Sequence, residues 1–462
     1  MNVSREQSPP LKWAIIGAGM LGLRLAQRLA QAGQRVTIHE AAPSLGGLAG
    51  AWQLGEVTWD KFYHVTLLSD LRLRELLREL DVEQEMRWVE TKTGFYTDGK
   101  LHSLSNGVEF LRFPPLGLVS KFRLGATILR GSKIRDGLPL ESILVGDWLR
   151  KWSGKKTFEK IWEPLLLAKL GESYRRTSAA FIWATIARMY RARQSGLKKE
   201  MFGYLPGGYA RVLERFTRML TSAGVDIRTG SPVDGIQSIA DGVQVSSQGT
   251  SDEFDRVVFT TPSAHIVKAC DGLPPSQRAK HEGIEYLGVA CASVLLKKPL
   301  AKYYVTNITD RPCPFTAVIE MTALVSPAEL GGKHLVYLPR YAAADDVIWS
   351  QSDAEIQEQF ISALERIYPK FTRSDVLAFQ VARAKQVMAL PTLNYTSQLP
   401  NFATGVRNVW AINSAHITKG TLNVNEVLEL ADHAFQTELL PQLSAASERS
   451  SANPTRYVAA AR

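Results

Sequence analysis

The chain has 462 residues, of which 45% are hydrophobic and 22% are charged, and its formal net charge is +10. This length and hydrophobic content allow a large buried core in two or three domains and exclude a chain that is disordered throughout. No apolar run approaches the roughly 18 residues that a membrane span needs, and the first ten residues are polar. We therefore expect a cytoplasmic protein that does not span a membrane.

The three cysteines are Cys270, Cys291 and Cys313. They are odd in number, widely spaced and not arranged as CxxC, so neither a disulfide framework nor a zinc site is indicated. We expect buried, reduced thiols and no metal ion.

Residues 13–40 carry the pattern of a strand, a turn, a helix and a second strand. A short apolar run is followed by three glycines with the GxGxxG spacing, Gly17, Gly19 and Gly22. The first glycine makes a tight turn, the second lets backbone approach a pyrophosphate, and the third allows the helix to pack on the sheet. Met20 and Leu21 lie at the helix N-terminus, which attracts phosphate. The pattern predicts a dinucleotide site.

Glu40 ends the second strand of this pattern. A carboxylate there would hydrogen-bond the ribose hydroxyls and repel the extra phosphate of NADP, so FAD or NAD is favoured. Gly46, Gly47 and the following Leu48 extend the signature in a way that resembles FAD-binding proteins rather than NAD dehydrogenases.

The positive charge is concentrated in residues 111–200, which contain 19 Lys and Arg against 7 Asp and Glu. Apolar and basic residues interleave around Lys121, Arg123 and Arg130. A basic, partly amphipathic helix can lie on the anionic inner face of a membrane or attract an acidic substrate. Alternatively, the helix has a solvated basic face and an apolar side that faces the core. No nucleic-acid-binding motif is present, and we expect no nucleic-acid partner.

The rest of the chain divides into five predicted regions. Residues 68–202 are mostly helical, with a pair of short strands around Asp98 and Gly99, and residues 203–283 contain an amphipathic helix followed by strands. Residues 284–399 contain five strand candidates and one helix, Asp353–Ile367, and predict a separate mixed sheet. Residues 400–443 give a strand, a polar loop and a helix capped by Asn423 or Asn425. The low-complexity tail, 444–462, is predicted to be disordered.

Four shorter segments of the chain together resemble the FAD-dependent amine oxidase superfamily, which includes protoporphyrinogen oxidases, phytoene desaturases and, more distantly, UDP-galactopyranose mutases. They are the glycine signature, the helix and strand after residue 203, the strand before Thr261, and the closing strand and helix. The resemblance implies an α/β fold in which a Rossmann-type FAD-binding domain is assembled from discontinuous segments, 1–67, 203–283 and 400–443. A basic helical insertion, 68–202, and a mixed-sheet substrate domain, 284–399, would complete it.

The resemblance also implies cofactor contacts. The backbone at Val233 would meet the adenine, and Thr261 would lie in a turn near the cofactor. Asn413 stands where the family usually has a Gly-Asp pair; an amide can still donate to a phosphate or accept from a ribityl hydroxyl. The helix that begins at Leu422, Asn423 and Val424 would place its N-terminus near the flavin pyrimidine ring.

The same resemblance brings Asp60, Tyr63 and His64 towards the flavin, with Asp60 as a cofactor contact and the other two as catalytic candidates. Lys385 and Tyr395 fall in a region that reaches the substrate side of the flavin in relatives. Alternatively, His64 hydrogen-bonds backbone while Tyr63 only packs. His416, in the closing loop, has the same two interpretations.

These features predict an FAD-dependent oxidoreductase that takes hydride from a hydrophobic or amine-bearing small molecule to flavin N5. The sequence has neither a second GxGxxG nor a CxxC, which argues against a disulfide reductase and leaves dioxygen, a quinone or another carrier as electron acceptor. One alternative is a flavin-dependent mutase or transferase acting on a sugar nucleotide or lipid-linked phosphate. Another is a non-catalytic FAD protein that docks on a membrane.

Overall fold

The computed structural model describes residues 9–193 and 201–443. The predicted disordered tail therefore lies outside the described residues. The strands are β1 (Lys12–Ile16), β2 (Arg35–His39), β3 (Ala51–Leu54), β4 (Val57–Asp60), β5 (Thr66–Leu67), β6 (Arg87–Glu90), β7 (Thr93–Thr97), β8 (Lys100–Ser103), β9 (Met201–Tyr204), β10 (Asp226–Arg228), β11 (Val233–Ile239), β12 (Gly242–Ser247), β13 (Thr250–Phe254), β14 (Arg256–Phe259), β15 (Tyr286–Leu296), β16 (Val305–Ile308), β17 (Ala317–Glu320), β18 (His334–Ala342), β19 (Val376–Ala389) and β20 (Val409–Ala411).

The α-helices are α1 (Met20–Gln31), α2 (Leu71–Glu79), α3 (Gly107–Arg112), α4 (Leu118–Lys133), α5 (Val145–Ser153), α6 (Lys155–Thr157), α7 (Glu163–Leu170), α8 (Ala179–Arg193), α9 (Gly208–Ser222), α10 (Ser263–Ala269), α11 (Pro275–Glu282), α12 (Asp353–Ile367), α13 (Tyr395–Gln398) and α14 (Val424–Ala434).

A five-stranded parallel sheet with the order β10-β2-β1-β14-β20 forms the centre of the predicted cofactor region. Its strands come from the beginning, middle and end of the chain, so the fold is α/β with a discontinuous Rossmann-type unit. Strand β2 lies on one side of β1, and β14, which comes later in the chain, lies on the other side. Such a switch opens a crevice at the carboxyl ends of the strands, which is where nucleotides bind in this class of sheet.

A seven-stranded mixed sheet has the order β19-β15-β18-β17-β16-β7-β8. Its pairs are antiparallel apart from β16 with β7. Helix α12 covers one face and has the bounds that the sequence predicts; a capping box between Ser352 and Glu355 starts it. Strands β7 and β8 come from the predicted helical insertion, so that segment also contributes to the mixed sheet. The domain limits remain a prediction.

Buried charge joins the closing helix to the rest of the cofactor region. The guanidinium of Arg24, on α1, is fully buried and donates to Asp432 of α14 at 2.9 Å and to Glu79 of α2 at 2.6 Å. Removing either carboxylate would leave a buried charge short of partners, which is costly. These ion pairs fix α14 against α1 and thereby bring the end of the chain to the first glycine loop.

Helix α4 turns apolar side chains outward over its first two turns. Leu118, Val119 and Phe122 are 77%, 75% and 77% exposed, and Leu111 of α3 is 62% exposed nearby in the chain. Leu124, in the same turns, is buried in the core, so this part of the helix presents apolar side chains both to the core and to the solvent.

The basic residues of α4 contact the protein instead. Lys121 donates to the carbonyl of Leu111 at 2.7 Å, and Arg123 donates to a carbonyl in the last turn of α5 at 3.1 Å. Arg130 stacks on the ring of Trp152 at 3.7 Å. Lys121 is buried, whereas Arg123 and Arg130 make these contacts while remaining exposed at the surface. Among the described residues, no helix is both long and apolar enough to cross a membrane.

Candidate active site

The predicted glycines gather where the carboxyl ends of β1, β14 and β20 meet. Gly17 follows β1 with a φ of 104°, a left-handed conformation that favours glycine. The N–H of Gly46 donates to the carbonyl of Ala18 at 2.8 Å, and a Cβ built on Gly47 would lie 3.4 Å from the Cα of Gly19. The two glycine loops therefore lie against each other. We call Gly17, Gly19, Gly46 and Gly47 the glycine cradle.

Gly22 and Gly19 differ in their surroundings. A Cβ on Gly22 would lie 2.0 Å from the carbonyl oxygen of Gly17, so only glycine lets α1 pack here. A Cβ on Gly19 would meet no heavy atom within 4 Å, and the N-terminus of α1 has no side-chain cap. Met20 and Leu21 are buried behind it. Open space beside uncapped N–H groups is what a pyrophosphate requires.

Glu40 is held beside the glycine cradle by two backbone N–H groups. One oxygen accepts from Ala18 at 2.7 Å and the other from Ala42 at 2.8 Å. Each carboxylate oxygen has a further lone pair for a ribose hydroxyl. Leu48, after the second glycine loop, is partly buried against the core that contains Trp59.

His265 links two of the predicted cofactor segments, and sequence reasoning missed it. Its Nε2 lies 2.8 Å from the carbonyl oxygen of Val233, and its Nδ1 lies 2.9 Å from Oγ1 of Thr261. Since a carbonyl only accepts, Nε2 donates to Val233, and in the neutral ring the Thr261 hydroxyl donates to Nδ1. The only sequence signal is a histidine four residues after Thr261, at the start of α10.

Asn413 is buried and its amide is engaged within the protein. Its Oδ1 accepts from the N–H of Ala415 at 3.0 Å and from the hydroxyl of Tyr286 at 3.5 Å, and its Nδ2 donates to Ser263 at 3.3 Å. The residue predicted to contact a phosphate or ribityl group thus holds the closing turn. His416, in that turn, contacts the backbone of Asn413, and burial lowers its pKa.

A cavity of about 280 Å³ lies between the mixed sheet, the helical segment and the closing loop. Its wall combines apolar residues, such as Phe181 and Val387, with polar ones. Three tyrosines line it, Tyr63, Tyr341 and Tyr395, and we call it the tyrosine cavity. A cavity that joins apolar surface to converging polar groups can hold a small molecule.

Two of the four predicted catalytic residues lie in the tyrosine cavity. The hydroxyl of Tyr63 is 3.1 Å from that of Tyr341, and burial raises the pKa of Tyr63 well above its usual value. Tyr395 donates to the carbonyl of Ala415 at 2.9 Å, and burial raises its pKa as well. Both phenols stay protonated at neutral pH, and Tyr395 pins the closing turn to the cavity wall.

The N-terminus of α14 meets the same cavity. Leu422 lines it, and the side chain of Asn423 caps the helix by accepting from the N–H of Glu426 at 3.1 Å. Val424, the first helical residue, is buried in the cofactor-region core. Of the two asparagines that the sequence offers as caps, Asn423 is the one used; Asn425 accepts from backbone N–H groups of α2.

Asp60 and His64 face away from the tyrosine cavity, towards α9. Asp60 is buried, and its Oδ1 accepts from the N–H of Tyr209 at 2.8 Å, which anchors the first turn of α9. The Nδ1 of His64 lies 3.5 Å from Oδ2 of Asp60, and its ring packs on Tyr209 with centroids 4.7 Å apart. The side chains of the consecutive residues Tyr63 and His64 lie on opposite sides of a bend, one against Tyr341 and the other against Tyr209.

Lys385 lies apart from the other predicted catalytic residues. It lines a second, more open cavity of about 800 Å³ together with Arg176 and Glu285, which form an ion pair. The four residues predicted as catalytic are therefore divided among three places: Tyr63 and Tyr395 in the tyrosine cavity, His64 against α9, and Lys385 in this second cavity.

A family model for flavin containing amine oxidoreductases matches residues 21–407 of the chain. The chain belongs to this family. A relative, the 15-cis-phytoene desaturase of Solanum lycopersicum, is 23% identical over 398 residues, which are 80% of this chain and 67% of the relative. The chain spans about half the length of some other desaturase relatives, such as 48% of the Capsicum annuum enzyme.

Solved structures show the same fold. An oxidoreductase from Methanosarcina mazei matches with a TM-score of 0.72 and 18% identity, covering 92% of this chain and 100% of that one. Putrescine oxidase bound to putrescine matches with a TM-score of 0.71 and 16% identity, covering 94% of this chain and 100% of that one. As a member of the family, the protein is an FAD-dependent oxidoreductase.

The residues present fit FAD. The open space at Gly19, the uncapped N-terminus of α1 and the fixed carboxylate of Glu40 supply a pyrophosphate and ribose site. Val233 and Thr261 would lie towards the adenine end, and Leu422 at the N-terminus of α14 towards the flavin ring. Among residues 9–193 and 201–443, no group of three or more His, Cys, Asp and Glu is arranged to hold a metal ion.

Proposed function

We propose that the protein oxidises a hydrophobic small molecule in the tyrosine cavity. The observation that carries this proposal is the position of the cavity, which offers apolar surface for a substrate and reaches Leu422 at the N-terminus of α14. FAD, when bound, supplies the acceptor for the substrate's hydride. The acceptor that reoxidises the flavin is dioxygen, a quinone or another carrier.

The chain's own residues bind and orient the substrate. Phe181, Val387 and Met388 line the cavity with apolar surface, which holds a carbon skeleton and keeps water from the reacting bond. Since the raised pKa keeps Tyr63 protonated, the hydroxyls of Tyr63 and Tyr341 serve as hydrogen-bonding groups rather than as bases. They fix the substrate's orientation.

Helix α14 contributes its positive dipole end. Its first turn begins directly after Leu422, and Asn423 caps only one of its free N–H groups. This end of the helix stabilises negative charge that develops beside the cavity wall, as the sequence predicts for the reduced cofactor.

Anaerobic mixing tests the proposed reaction. The FAD-loaded protein is mixed with unsaturated isoprenoids, porphyrinogens and hydrophobic amines while the oxidised flavin band is followed, with NADH and NADPH in parallel. We expect an organic substrate to bleach the band. Rapid bleaching by NADH alone, with no organic substrate active, would contradict the proposal and favour a reductase or a mutase that works with reduced flavin.

We further propose that α3 and α4 place the protein on an anionic membrane surface from which a hydrophobic substrate enters. The exposed Leu111, Leu118, Val119 and Phe122 support this, together with the excess of Lys and Arg in residues 111–200. We expect the triple change Leu118→Ser, Val119→Ser and Phe122→Ser to reduce sedimentation with phosphatidylglycerol vesicles.

A matched control for that test is Val347→Ser, since Val347 is 61% exposed at a site outside α3 and α4. This variant should sediment with vesicles as the unchanged protein does. Equal sedimentation of the triple variant and the unchanged protein would remove the membrane proposal and leave the proposed reaction in place.

A further inference from the structure

One cation lines the tyrosine cavity. Lys169, on α7, places its Nζ 3.2 Å from the ring centroid of Tyr341, and both residues line the cavity. The ammonium makes no ion pair with a carboxylate among residues 9–193 and 201–443. A cation–π contact supplies no hydrogen-bond acceptor, so the N–H donors of this partly buried ammonium remain available to a ligand.

Among the described residues that line the cavity, the single carboxylate is differently placed. Glu141 is buried, and its two oxygens accept from the N–H and the hydroxyl of Thr396, the former at 3.0 Å. Its backbone carbonyl also accepts from the N–H of Asn394 at 3.0 Å. Glu141 therefore anchors the segment around α13, whereas Lys169 has donors left for a ligand.

We infer that Lys169 is a specificity-determining residue that binds an anionic group on an otherwise apolar substrate. The inference rests on the proposed function, since it names the substrate class for the same cavity. A carboxylate or phosphate beside Lys169 would complete the hydrogen bonding of its ammonium, while the apolar wall takes the carbon skeleton. The substrate is thus an amphipathic acid rather than a plain hydrocarbon or an amine.

The test compares three ligands of equal size and different charge: 4-phenylbutyrate, 4-phenyl-1-butanol and 4-phenylbutylamine. Their binding to the FAD-loaded protein is measured by isothermal titration calorimetry, so the readout does not depend on turnover. We expect the carboxylate to bind at least about tenfold more tightly than the alcohol, and the amine to bind most weakly.

Variants assign that preference to one side chain. Lys169→Gln should lower carboxylate affinity to that of the alcohol and leave alcohol affinity unchanged. Lys169→Arg should retain the preference, and Lys156→Gln, at an exposed lysine outside the cavity, serves as the matched control. Thermal unfolding of each variant shows whether it is folded.

Equal binding of the three ligands, or tightest binding of the amine, would overturn the inference; the second result would point to Glu141 instead. A preference for the carboxylate that survives Lys169→Gln would also overturn the inference. These outcomes are distinct from failure of the proposed function, which would appear as an absence of flavin bleaching by any organic substrate.

Discussion

The glycine cradle and the tyrosine cavity are built from different parts of the chain. The cradle consists of backbone: positive φ angles at Gly17, Gly46 and Gly47, a helix N-terminus without a cap, and N–H groups that fix Glu40. The cavity is lined by residues from segments that are far apart in sequence, such as Tyr63 and Lys169. The cradle suits a pyrophosphate, which many cofactors share, whereas under the proposed function the tyrosine cavity would determine which substrate reacts. Changes in the two regions should therefore have separable effects.

The largest effect is expected at Gly22, beside the glycine cradle. Gly22→Ala places a Cβ 2.0 Å from the backbone oxygen of Gly17, so α1 must shift, and we expect a loss of about 3 kcal/mol or more in the free energy of unfolding. The matched change, Gly19→Ala, has free space and a permitted φ of −70°. It should leave apoprotein stability unchanged and weaken FAD binding about tenfold.

Thermal unfolding of the apoproteins and titration with FAD measure the two quantities. Full FAD affinity in Gly19→Ala would show that backbone does not approach the pyrophosphate at this glycine.

Substitutions of Asp60 test whether this residue stabilises the fold or contacts the cofactor. Asp60→Ala leaves the buried N–H of Tyr209 without its acceptor, and we expect it to cost about 2 kcal/mol of stability. Asp60→Asn keeps an oxygen for that N–H and should cost less. Urea unfolding of the two apoproteins measures this. If both variants are as stable as the unchanged protein but bind FAD weakly, Asp60 is a cofactor contact and the cradle extends to it.

His281 gives the cofactor region a pH dependence. The ring is buried, both of its nitrogens lack a hydrogen-bond partner among the described residues, and burial, with His416 nearby, lowers its pKa to about 4. The folded state therefore favours the neutral ring, and this stability is present above pH 6.5 and is lost as the pH falls towards 4.

Between pH 7.5 and pH 5 the loss from His281 is about 2 kcal/mol. His281→Leu removes the titration, so its unfolding free energy should fall less over this range than that of the unchanged protein. Parallel curves for the two proteins, measured by urea unfolding at each pH, would show that His281 does not titrate in this way.

The smallest effect is expected from the tyrosine cavity. Tyr63→Phe removes one hydroxyl from the Tyr63–Tyr341 pair, and we expect it to raise KM severalfold, which is about 1 kcal/mol, with FAD affinity unchanged. Steady-state kinetics with the substrate found by anaerobic mixing, beside an FAD titration, give both values. Loss of FAD from this variant would mean that the cavity and the cradle are not separable.

Local sequence patterns predict the cradle well. The glycine spacing and the position of Glu40 lie within one short segment, and their geometry follows from the strand, turn and helix that this segment forms. The helix Asp353–Ile367 is likewise predicted to the residue, because Ser352 and Glu355 form a capping box.

The tyrosine cavity could not be predicted in the same way. Lys169 and Tyr341 are far apart in sequence and meet only because α7 packs on β18. Tyr63 and His64 are neighbours in sequence, yet the bend that separates their side chains depends on tertiary contacts with Tyr209 and Tyr341. The exposure of apolar residues on α4 could not be predicted from the sequence for a similar reason. The basic residues of this helix contact carbonyls and an aromatic ring that come from other segments of the protein.

A crystal structure of the FAD-loaded protein with 4-phenylbutyrate tests most directly the claim that the tyrosine cavity is the site of oxidation. We expect the flavin ring beside Leu422, and the ligand within the cavity with its carboxylate at Lys169. A flavin ring in the cavity that Lys385 lines, with the tyrosine cavity empty of ligand, would contradict the account.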